Sequence, residues 1–182
     1  VREVLRFKKG PVAINLSTSK VTADEATKAA VALYYSKVGE SNVVELIRKK
    51  KAVIGGEGNG GVIYPAFHAG RDALVAAALV LSCLSRSMME MSKFAETFNK
   101  YYTIKSKGNL GEDFADRLFK FESDVKTFVP EPTFNNVDGL RVDFPEGWVL
   151  IRKSNTEPIF RVMVETNKQS LSENLSNKVV EY

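Results

Sequence analysis

Residues 52–64 read Ala-Val-Ile-Gly-Gly-Glu-Gly-Asn-Gly-Gly-Val-Ile-Tyr, and this stretch decides how the first half of the chain is interpreted. The short apolar run at residues 52–54 predicts a buried strand. It leads into residues 55–61, five of which are glycine, and glycine lets a backbone approach a ligand closely. Residues 62–64 resume the strand until Pro65 ends it. The pattern therefore predicts a strand that ends in a candidate ligand loop.

Strand-like and helix-like segments alternate around this stretch. Predicted strands cover residues 12–16, 31–35 and 52–54, and predicted helices cover residues 1–8, 22–30, 41–51, 69–86 and 92–100. The second helix is expected to begin with Thr22 as its N-cap and Glu25 closing a capping box. The long fourth helix is apolar on most faces and is therefore expected to be buried. The alternation over residues 1–100 predicts an α/β domain with a mixed sheet.

The pattern changes near residues 103–110, where glycines flank an expected domain boundary. Apolar residues at helical spacing then predict an amphipathic helix over about 110–123. Strands are predicted at residues 136–144, 148–152 and 159–166, with a final helix from Ser170. This order predicts an α+β domain with a four-stranded antiparallel sheet packed on helices. We therefore expect two domains, residues 1–105 and residues 106–182.

The composition of the 182 residues limits the classes of protein to be considered. The single cysteine, Cys83, cannot form an internal disulfide, and one histidine without a cysteine cluster cannot form a metal site. The longest apolar stretch, residues 73–84, is shorter than the roughly 20 residues that a membrane span needs. No signal peptide is evident, so we expect a cytoplasmic location. Because the first residue is Val1, we also expect the chain to be a piece of a longer protein.

The glycine-rich loop carries two side chains suited to a sugar. Glu57 and Asn59 are two residues apart, so an extended loop would point both to the same side. A carboxylate accepts hydrogen bonds from a vicinal diol, and an amide both accepts and donates. The loop follows a predicted strand, and the carboxyl ends of strands are where α/β sheets bind ligands. From the residues alone, a flexible hairpin with a solvated glutamate is an equally good interpretation.

A second candidate loop, Arg-Lys-Ser-Asn-Thr-Glu-Pro at residues 152–158, lies between two predicted strands and is followed by Arg161. Arginine presents a planar fork that matches two phosphate oxygens, and hydroxyls and loop N–H groups add neutral donors. The alternative is a polar turn with surface charges. A further candidate is Lys20, which ends the polar loop at residues 17–20 and could approach a substrate, although a solvated lysine is the commoner case.

Together the two loops identify a family. The sequence Gly-Glu-Gly-Asn-Gly at residues 56–60 resembles the sugar-recognition loop of the α-D-phosphohexomutases, usually G-E-x-S-G-H. Residues 152–158 resemble their phosphate loop, R-x-S-N-T-E-P. Residues 70–74 and 137–141 resemble two further segments of the family, D-G-x-x-A-L and D-G-(I/V/L)-(K/R). All four occur in the family's order over nearly the whole chain.

The resemblance implies the third and fourth domains of a four-domain enzyme acting on glucose, mannose or glucosamine phosphates, which moves a phosphoryl group between the 1- and 6-hydroxyls through a phosphoserine. Glu57 and Asn59 would bind the 3- and 4-hydroxyls of the sugar. The phosphate that is not transferred would be held by a second set of residues: Arg152, Ser154, Asn155, Thr156 and Arg161.

The family's phosphoserine loop and its D-x-D-x-D magnesium loop do not occur in this sequence. We therefore assign no catalytic nucleophile and no metal ligand to this chain, and expect the chain alone to be inactive. Mg²⁺ and a hexose 1,6-bisphosphate intermediate would belong to the full-length enzyme. The expected partners are sugar phosphates and the missing N-terminal half of the same enzyme, without nucleic acid or membrane.

Three positions depart from the family pattern. Asn59 replaces the usual serine, Gly61 replaces the final histidine, and Glu40 replaces a second histidine in a segment that often reads V-G-H. These departures leave the group that transfers protons unidentified. Two other hypotheses remain: a free-standing module that binds sugar phosphates, and a nucleic-acid binder.

The nucleic-acid hypothesis rests on charge alone. The net charge is +4, the isoelectric point is about 9.1, and residues 48–51 are all basic. This excess suits any anionic partner, small phosphates included. Because the basic run is short and Glu57 in the best ligand loop would repel a phosphate backbone, this hypothesis is the weakest.

Overall fold

The computed structural model describes residues 1–154 and 156–182, which form two compact units, Val1–Lys100 and Tyr101–Tyr182. The division at residues 105 and 106 stays a prediction, and residue 105 lies inside a strand of the second unit. Each unit has its own sheet and its own apolar core.

The first unit contains a four-stranded sheet in the order β2-β1-β3-β4. The strands are β1 (Val12–Asn15), β2 (Leu33–Ser36), β3 (Ile54–Gly56) and β4 (Val62–Ile63). The first three are parallel and β4 is antiparallel to β3, so the predicted mixed sheet is confirmed. Its helices are α1 (Arg2–Phe7), α2 (Lys20–Lys28), α3 (Glu40–Lys50), α4 (Ala73–Ser87) and α5 (Met91–Ala95).

The predicted capping box of α2 is wrong. The N-cap lies three residues earlier than expected, because the Ser19 side chain accepts a hydrogen bond from the backbone N–H of Val21 and so caps the helix. Thr22 lies inside the helix, and Glu25 is buried and bound to Arg2, whose Nε and Nη2 atoms donate to it at 2.6 and 2.8 Å. A buried carboxylate needs a charged partner, and Arg2 on α1 supplies it.

The burial predicted for the long apolar helix is also wrong. Of the 15 residues of α4, only Cys83 is buried. Leu74 and Leu81 are 83% and 64% exposed. The sequence predicts correctly that α4 is apolar. In the first unit, however, α1 and α5 pack on one side of it and leave the other side open. An apolar helix left open in this way needs another surface to cover it.

The second unit contains a five-stranded antiparallel sheet in the order β5-β9-β8-β7-β6. The strands are β5 (Tyr102–Asn109), β6 (Thr133–Asn135), β7 (Leu140–Phe144), β8 (Gly147–Lys153) and β9 (Ile159–Thr166), and the helices are α6 (Phe114–Asp124) and α7 (Gln169–Glu181) with a short 3₁₀ turn, Val125–Thr127. The α+β class is confirmed, but the predicted count of four strands is wrong.

Two strands, β6 and β5, lie outside the three predicted ranges, and the residues of β5 were interpreted as a domain boundary. Strand β5 is an edge strand whose positions alternate between half-buried and exposed, so it has no continuous apolar run. It nevertheless pairs with β9 over eight residue pairs, from Tyr102 opposite Thr166 to Asn109 opposite Ile159. Its polar residues are the kind that protect a sheet edge from further pairing.

One face of this sheet packs on α6 and α7 and forms the core of the second unit. Fully or nearly fully buried members include Phe121, Val142, Val162, Val164 and Val179. Burial of a side chain of this size contributes roughly 1.5–3 kcal/mol. The packed core fixes β8 and β9, and with them the loop that joins these two strands.

Candidate functional site

The glycine-rich loop begins at the carboxyl end of β3, beside the carboxyl end of β1. In the parallel pairing of β1 with β3, Ile14 lies opposite Gly56. Asn15, the last residue of β1, therefore lies beside the start of the loop. The loop is closed by hydrogen bonds from Glu57 N to Gly61 O at 2.9 Å and from Gly60 N to Glu57 O at 3.1 Å. A Cβ atom at Gly58 would lie 2.1 Å from the carbonyl oxygen of Ser17, so glycine is required there.

The Glu57 carboxylate is buried and fixed from two sides. Its Oε1 atom accepts hydrogen bonds from Asn15 Nδ2 at 3.0 Å and from the backbone N–H of Gly39, the N-cap of α3, at 3.2 Å. The residue is 8% exposed, which excludes the solvated glutamate of the alternative interpretation. Its second oxygen, Oε2, accepts no hydrogen bond from any residue that the structure describes. The loop thus presents one oriented acceptor.

Asn15 organises this arrangement, and it is not among the predicted site residues. While its Nδ2 atom donates to Glu57, its Oδ1 atom accepts from Ser17 N, Ser17 Oγ and Thr18 Oγ1 at 3.1, 3.0 and 2.8 Å. Asn15 is 1% exposed. The sequence feature that could have identified it is a polar residue at the end of an otherwise apolar strand. A buried amide in such a position needs hydrogen-bond partners.

Asn59 and Lys20 are the two other predicted residues near this loop. Asn59 is exposed, and its Oδ1 atom accepts from Gly61 N at 3.0 Å. Lys20 is the first residue of α2, three positions after Ser17, whose carbonyl oxygen lies against Gly58. Both predicted residues thus lie in or beside the glycine-rich loop, and their roles stay predictions.

Arg71 approaches the loop from the other side. Its backbone N–H and its Nε atom donate to the two carboxylate oxygens of Glu40 at 2.7 and 2.8 Å, and these bonds hold the pKa of the Glu40 carboxyl below its usual range. The same Nε atom is 3.6 Å from Glu57 Oε2. Glu40, Asn59 and Arg71 line an open cleft of about 490 Å³ together with Gly60 and Gly61.

In the second unit, the register of β8 and β9 aligns two predicted cations. Arg152 lies directly opposite Arg161, so their side chains emerge on one face of the sheet. Ser154 N donates to Ile159 O at 2.9 Å and closes the loop between the strands. Like charges opposite each other are unfavourable, and Glu157 partly offsets this by pairing with Arg161. An anion at this face would offset it further.

The other predicted phosphate residues lie in the loop itself. Arg152 Nη1 donates to the carbonyl oxygen of Lys153 at 3.2 Å, and Thr156 N lies 3.5 Å from Ser154 Oγ. Thr156 is exposed and Ser154 is half-buried, so both hydroxyls are open to a ligand. The fifth predicted residue, Asn155, lies outside the described residues.

The structure adds a third cation that the sequence analysis missed. Lys107 on β5 lies opposite Arg161, which in turn lies opposite Arg152, so the three form one row across three strands. Lys107 is exposed. The alternation of Lys105 and Lys107 at a two-residue spacing was the available signal, and it was lost because β5 was interpreted as a boundary.

A metal site is not apparent in the part of the chain that the structure describes. No group of three or more histidine, cysteine, aspartate or glutamate side chains in residues 1–154 and 156–182 is arranged to hold a metal ion. Within the same residues, no helix combines the length and the apolar character that crossing a bilayer requires.

The chain is similar to known proteins along almost its whole length. It is 31% identical over 162 residues to a phosphoglucomutase/phosphomannomutase of Thermococcus kodakarensis, covering 88% of this chain and 35% of that protein. It is 29% identical over 165 residues to a phosphoglucosamine/phosphogalactosamine mutase of Sulfurisphaera tokodaii, covering 90% and 36%. The chain thus spans little more than a third of the length of these curated relatives.

Solved structures share the fold at lower identity. A phosphoglucomutase/phosphomannomutase family protein of Burkholderia thailandensis superposes with a TM-score of 0.77 at 21% identity, covering 97% of this chain and 39% of that chain. Two structures of Aspergillus fumigatus N-acetylphosphoglucosamine mutase give TM-scores of 0.70 and 0.69 at 14% and 15% identity, each covering 95% of this chain and 38% of theirs. One contains glucose 1,6-bisphosphate, and the other contains GlcNAc-6P and magnesium.

Two family descriptions match consecutive parts of the chain. Residues 2–101 match the phosphoglucomutase/phosphomannomutase alpha/beta/alpha domain III, and residues 110–181 match the phosphoglucomutase/phosphomannomutase C-terminal domain. The order agrees with the two units of the structure, the first with a mixed sheet and the second with an antiparallel sheet. The chain therefore belongs to the phosphoglucomutase/phosphomannomutase family, in which it corresponds to domain III and the C-terminal domain.

Proposed function

We propose that this chain is the C-terminal part of a phosphohexomutase that interconverts hexose 1-phosphates and hexose 6-phosphates, and that its task there is to hold the substrate. The observation that carries the proposal is the buried Glu57 carboxylate, fixed through Oε1 by Asn15 and Gly39 while Oε2 is left without a hydrogen bond from the described residues. An oriented, partly desolvated acceptor suits a ligand hydroxyl.

In this proposal the glycine-rich loop binds the 3- and 4-hydroxyls of the sugar. Glu57 accepts from one hydroxyl and Asn59 contributes its exposed amide to the next. The glycines let the backbone come close to the ring, because no side chain stands between them. Lys20, at the start of α2, is a further candidate to approach the ligand. Recognition by both a carboxylate and an amide fits a vicinal diol.

The loop between β8 and β9 would bind the phosphate that is not transferred. Arg152 and Arg161 supply charge, Ser154 and Thr156 supply hydroxyls, and Asn155 completes the predicted set. Lys107 joins them because the strand register aligns it with the two arginines. A phosphate dianion at this face would relieve the repulsion among three cations, which supports the assignment.

The transfer itself needs groups that this chain does not supply. The proposed full-length enzyme would transfer the phosphoryl group through a phosphoserine with Mg²⁺, by way of a hexose 1,6-bisphosphate. What the residues of this chain contribute is position: the sugar hydroxyls and the remote phosphate are held while the reacting phosphate lies elsewhere. Since the 1- and 6-phosphates exchange roles, the same residues must accept the sugar in two orientations.

The exposed face of α4 supports the proposed partner, the N-terminal half of the same enzyme. Leu74, Val80 and Leu81 are 83%, 40% and 64% exposed, and Val80 also lines a cavity of about 270 Å³ that α1, α2, α4 and α5 form with the glycine-rich loop. Apolar surface of this kind usually marks an interaction site. The additional length of the relatives is consistent with a further part of the protein that covers it.

The decisive experiment measures activity and binding in the full-length gene product. We expect ³¹P NMR to show interconversion of the 1- and 6-phosphates of at least one of glucose, mannose or glucosamine, and calorimetry to show binding of the same sugar phosphate. Binding without interconversion in a protein that includes a serine loop and a D-x-D-x-D loop would contradict the mutase. Binding by a native protein that consists of this chain alone would favour a free-standing sugar-phosphate module.

A further inference from the structure

Arg71 is held in place before α4 begins, independently of any ligand. Its backbone forms an antiparallel bridge with Ile63 at the end of β4, and its N–H donates to Glu40 Oε1 at 2.7 Å. The side chain is then fixed by the second bond to Glu40, from Nε to Oε2 at 2.8 Å. Two backbone anchors and one side-chain anchor leave little freedom for the stem of the arginine.

The aliphatic part of the Arg71 side chain, its stem, lies across the glycine-rich loop at Gly61. A Cβ atom at Gly61 would lie 2.3 Å from Arg71 Cδ and 2.9 Å from Arg71 Cγ, so the arginine occupies the space that a side chain at position 61 would need. Beyond the stem, Nε lies 3.6 Å from Glu57 Oε2. This distance is too long for a hydrogen bond but short enough for charge attraction, which helps to offset the burial of the Glu57 charge.

Arg71 and Glu57 each have hydrogen-bonding atoms that no described residue uses. The Arg71 side chain is 46% exposed, and its terminal N–H groups donate to none of the described residues. Glu57 Oε2 accepts from none of them either. An arginine with unused terminal donors therefore lies near an open acceptor, with its Nε 3.6 Å from Glu57 Oε2. A hydroxyl group is the ligand that satisfies both, because it donates one hydrogen bond and accepts others.

We propose that Arg71 is a substrate-binding residue, which donates to the same ring hydroxyl that donates to Glu57 Oε2, and that Glu40 positions it. This inference rests on the proposed function, since it names a second contact at the same sugar site. A site built around a donor and an acceptor rejects a ligand that lacks the hydroxyl, because both protein groups are then left unpaired. Arg71 thus contributes to selection for a free hydroxyl at one ring position.

The test compares ligands as well as variants, in the full-length protein. Calorimetry would give the Kd of the preferred hexose 6-phosphate and of its 3-deoxy and 4-deoxy analogues for the wild type, Arg71→Met and Glu40→Gln. The matched control is Arg48→Met, an exposed arginine in the last turn of α3. We expect the wild type to bind one deoxy analogue at least tenfold more weakly than the parent sugar.

The expected signature is a loss of discrimination. Arg71→Met should bind the parent sugar about tenfold more weakly and retain little of the tenfold preference over that deoxy analogue. Glu40→Gln should show the same pattern to a smaller extent, and Arg48→Met should match the wild type. Arg71→Lys keeps the charge without the fork, so it should retain affinity better than it retains discrimination.

Two results would overturn the inference, and they are distinguishable. If Arg71→Met and Arg71→Lys weakened the parent and both analogues by one common factor, Arg71 would only support the loop, while sugar binding itself would stand. If the wild type bound no hexose phosphate at all, the proposed function would fall and this inference with it. Thermal unfolding of each variant identifies any that fails to fold, and Arg71→Lys then carries the comparison.

Discussion

The glycine-rich loop of the first unit and the loop between β8 and β9 of the second position their polar groups in different ways. Glu57 is buried and fixed by Asn15 and a backbone N–H, so its free oxygen points in one direction. Arg152 and Arg161 are only half-buried or exposed, and what aligns them is the pairing register of two strands. One loop is oriented by side-chain hydrogen bonds and the other by the sheet.

This difference matches what each loop is proposed to bind. A hydroxyl is neutral, so its recognition depends on hydrogen-bond direction and requires fixed partners. A phosphate dianion attracts cations over several ångströms, and long arginine side chains can adjust to it. We therefore expect substitutions in the first loop to affect both binding and folding, and substitutions in the second to affect binding alone.

The largest effect should come from Glu57→Ala in the full-length protein. Losing a charged hydrogen-bond acceptor should weaken hexose phosphate binding by about 3 kcal/mol, or roughly 100-fold. Asn15 Nδ2 and Gly39 N would lose their partner, so the first unit should also lose about 1–3 kcal/mol of stability. Calorimetry and denaturant unfolding measure the two quantities. If Glu57→Ala lost binding but kept full stability, the first loop would not depend on buried hydrogen bonds, and the contrast between the two loops would fail.

Arg152→Ala should weaken binding of the same sugar phosphate by about 1.5–3 kcal/mol, the value of a hydrogen bond to a charged group. Unfolding should stay within about 0.5 kcal/mol of the wild type, because no buried group loses a partner and a repulsion with Arg161 is removed. The unphosphorylated hexose provides the control. If its affinity fell by the same factor, Arg152 would not act on the phosphate.

Acid should distinguish the two units by stability. Hydrogen bonds from Arg86, together with Ser82 and Cys83, lower the pKa of the buried Glu3 from 4.5 to about 2. A carboxyl with a lowered folded pKa stabilises above about pH 4.5, and this contribution is lost as the pH falls toward 2. Unfolding of the first unit should therefore become easier over that range. Glu3→Gln should flatten the pH dependence, and an unchanged slope would contradict the assignment.

The smallest effect is expected from Lys107→Met. An exposed lysine at the edge of the sheet should contribute less than about 1 kcal/mol to phosphate binding. The contribution should shrink further at high salt, since exposed charges are screened. Affinity measured at low and high salt checks this, with Lys105→Met as the neighbour on the same strand. If both substitutions weakened binding equally, the lysines would act through general charge attraction, and the position of Lys107 in the row with Arg152 and Arg161 would not matter.

Much of the architecture followed from periodicity. The alternation of strand-like and helix-like segments predicted the α/β layer with its mixed sheet, and the resemblance of two loops predicted the family. The exposed α4 and the strand β5 could not be obtained in this way. Apolar composition does not say which elements are available to cover a helix, and an edge strand carries polar residues that imitate a linker.

Some residues of the candidate site could be predicted from the sequence, and others could not. Glu57 and the phosphate-loop residues lie in contiguous motifs, so a short stretch of sequence was enough to single them out. Asn15 and the contact of Arg71 with Glu57 depend on groups 42 and 14 positions apart in the chain, which only folding brings together. Glu40 was noticed as a departure from the family, but its bond to Arg71 required the structure.

The crossing of Arg71 over Gly61 also constrains how this loop can evolve. A side chain at position 61 would compete for space with the arginine at position 71, since the new Cβ would lie 2.3 Å from Arg71 Cδ. The arginine side chain would have to move or be replaced. Positions 61 and 71 should therefore covary across relatives: glycine with arginine in one group, and a larger residue with a different partner in the other.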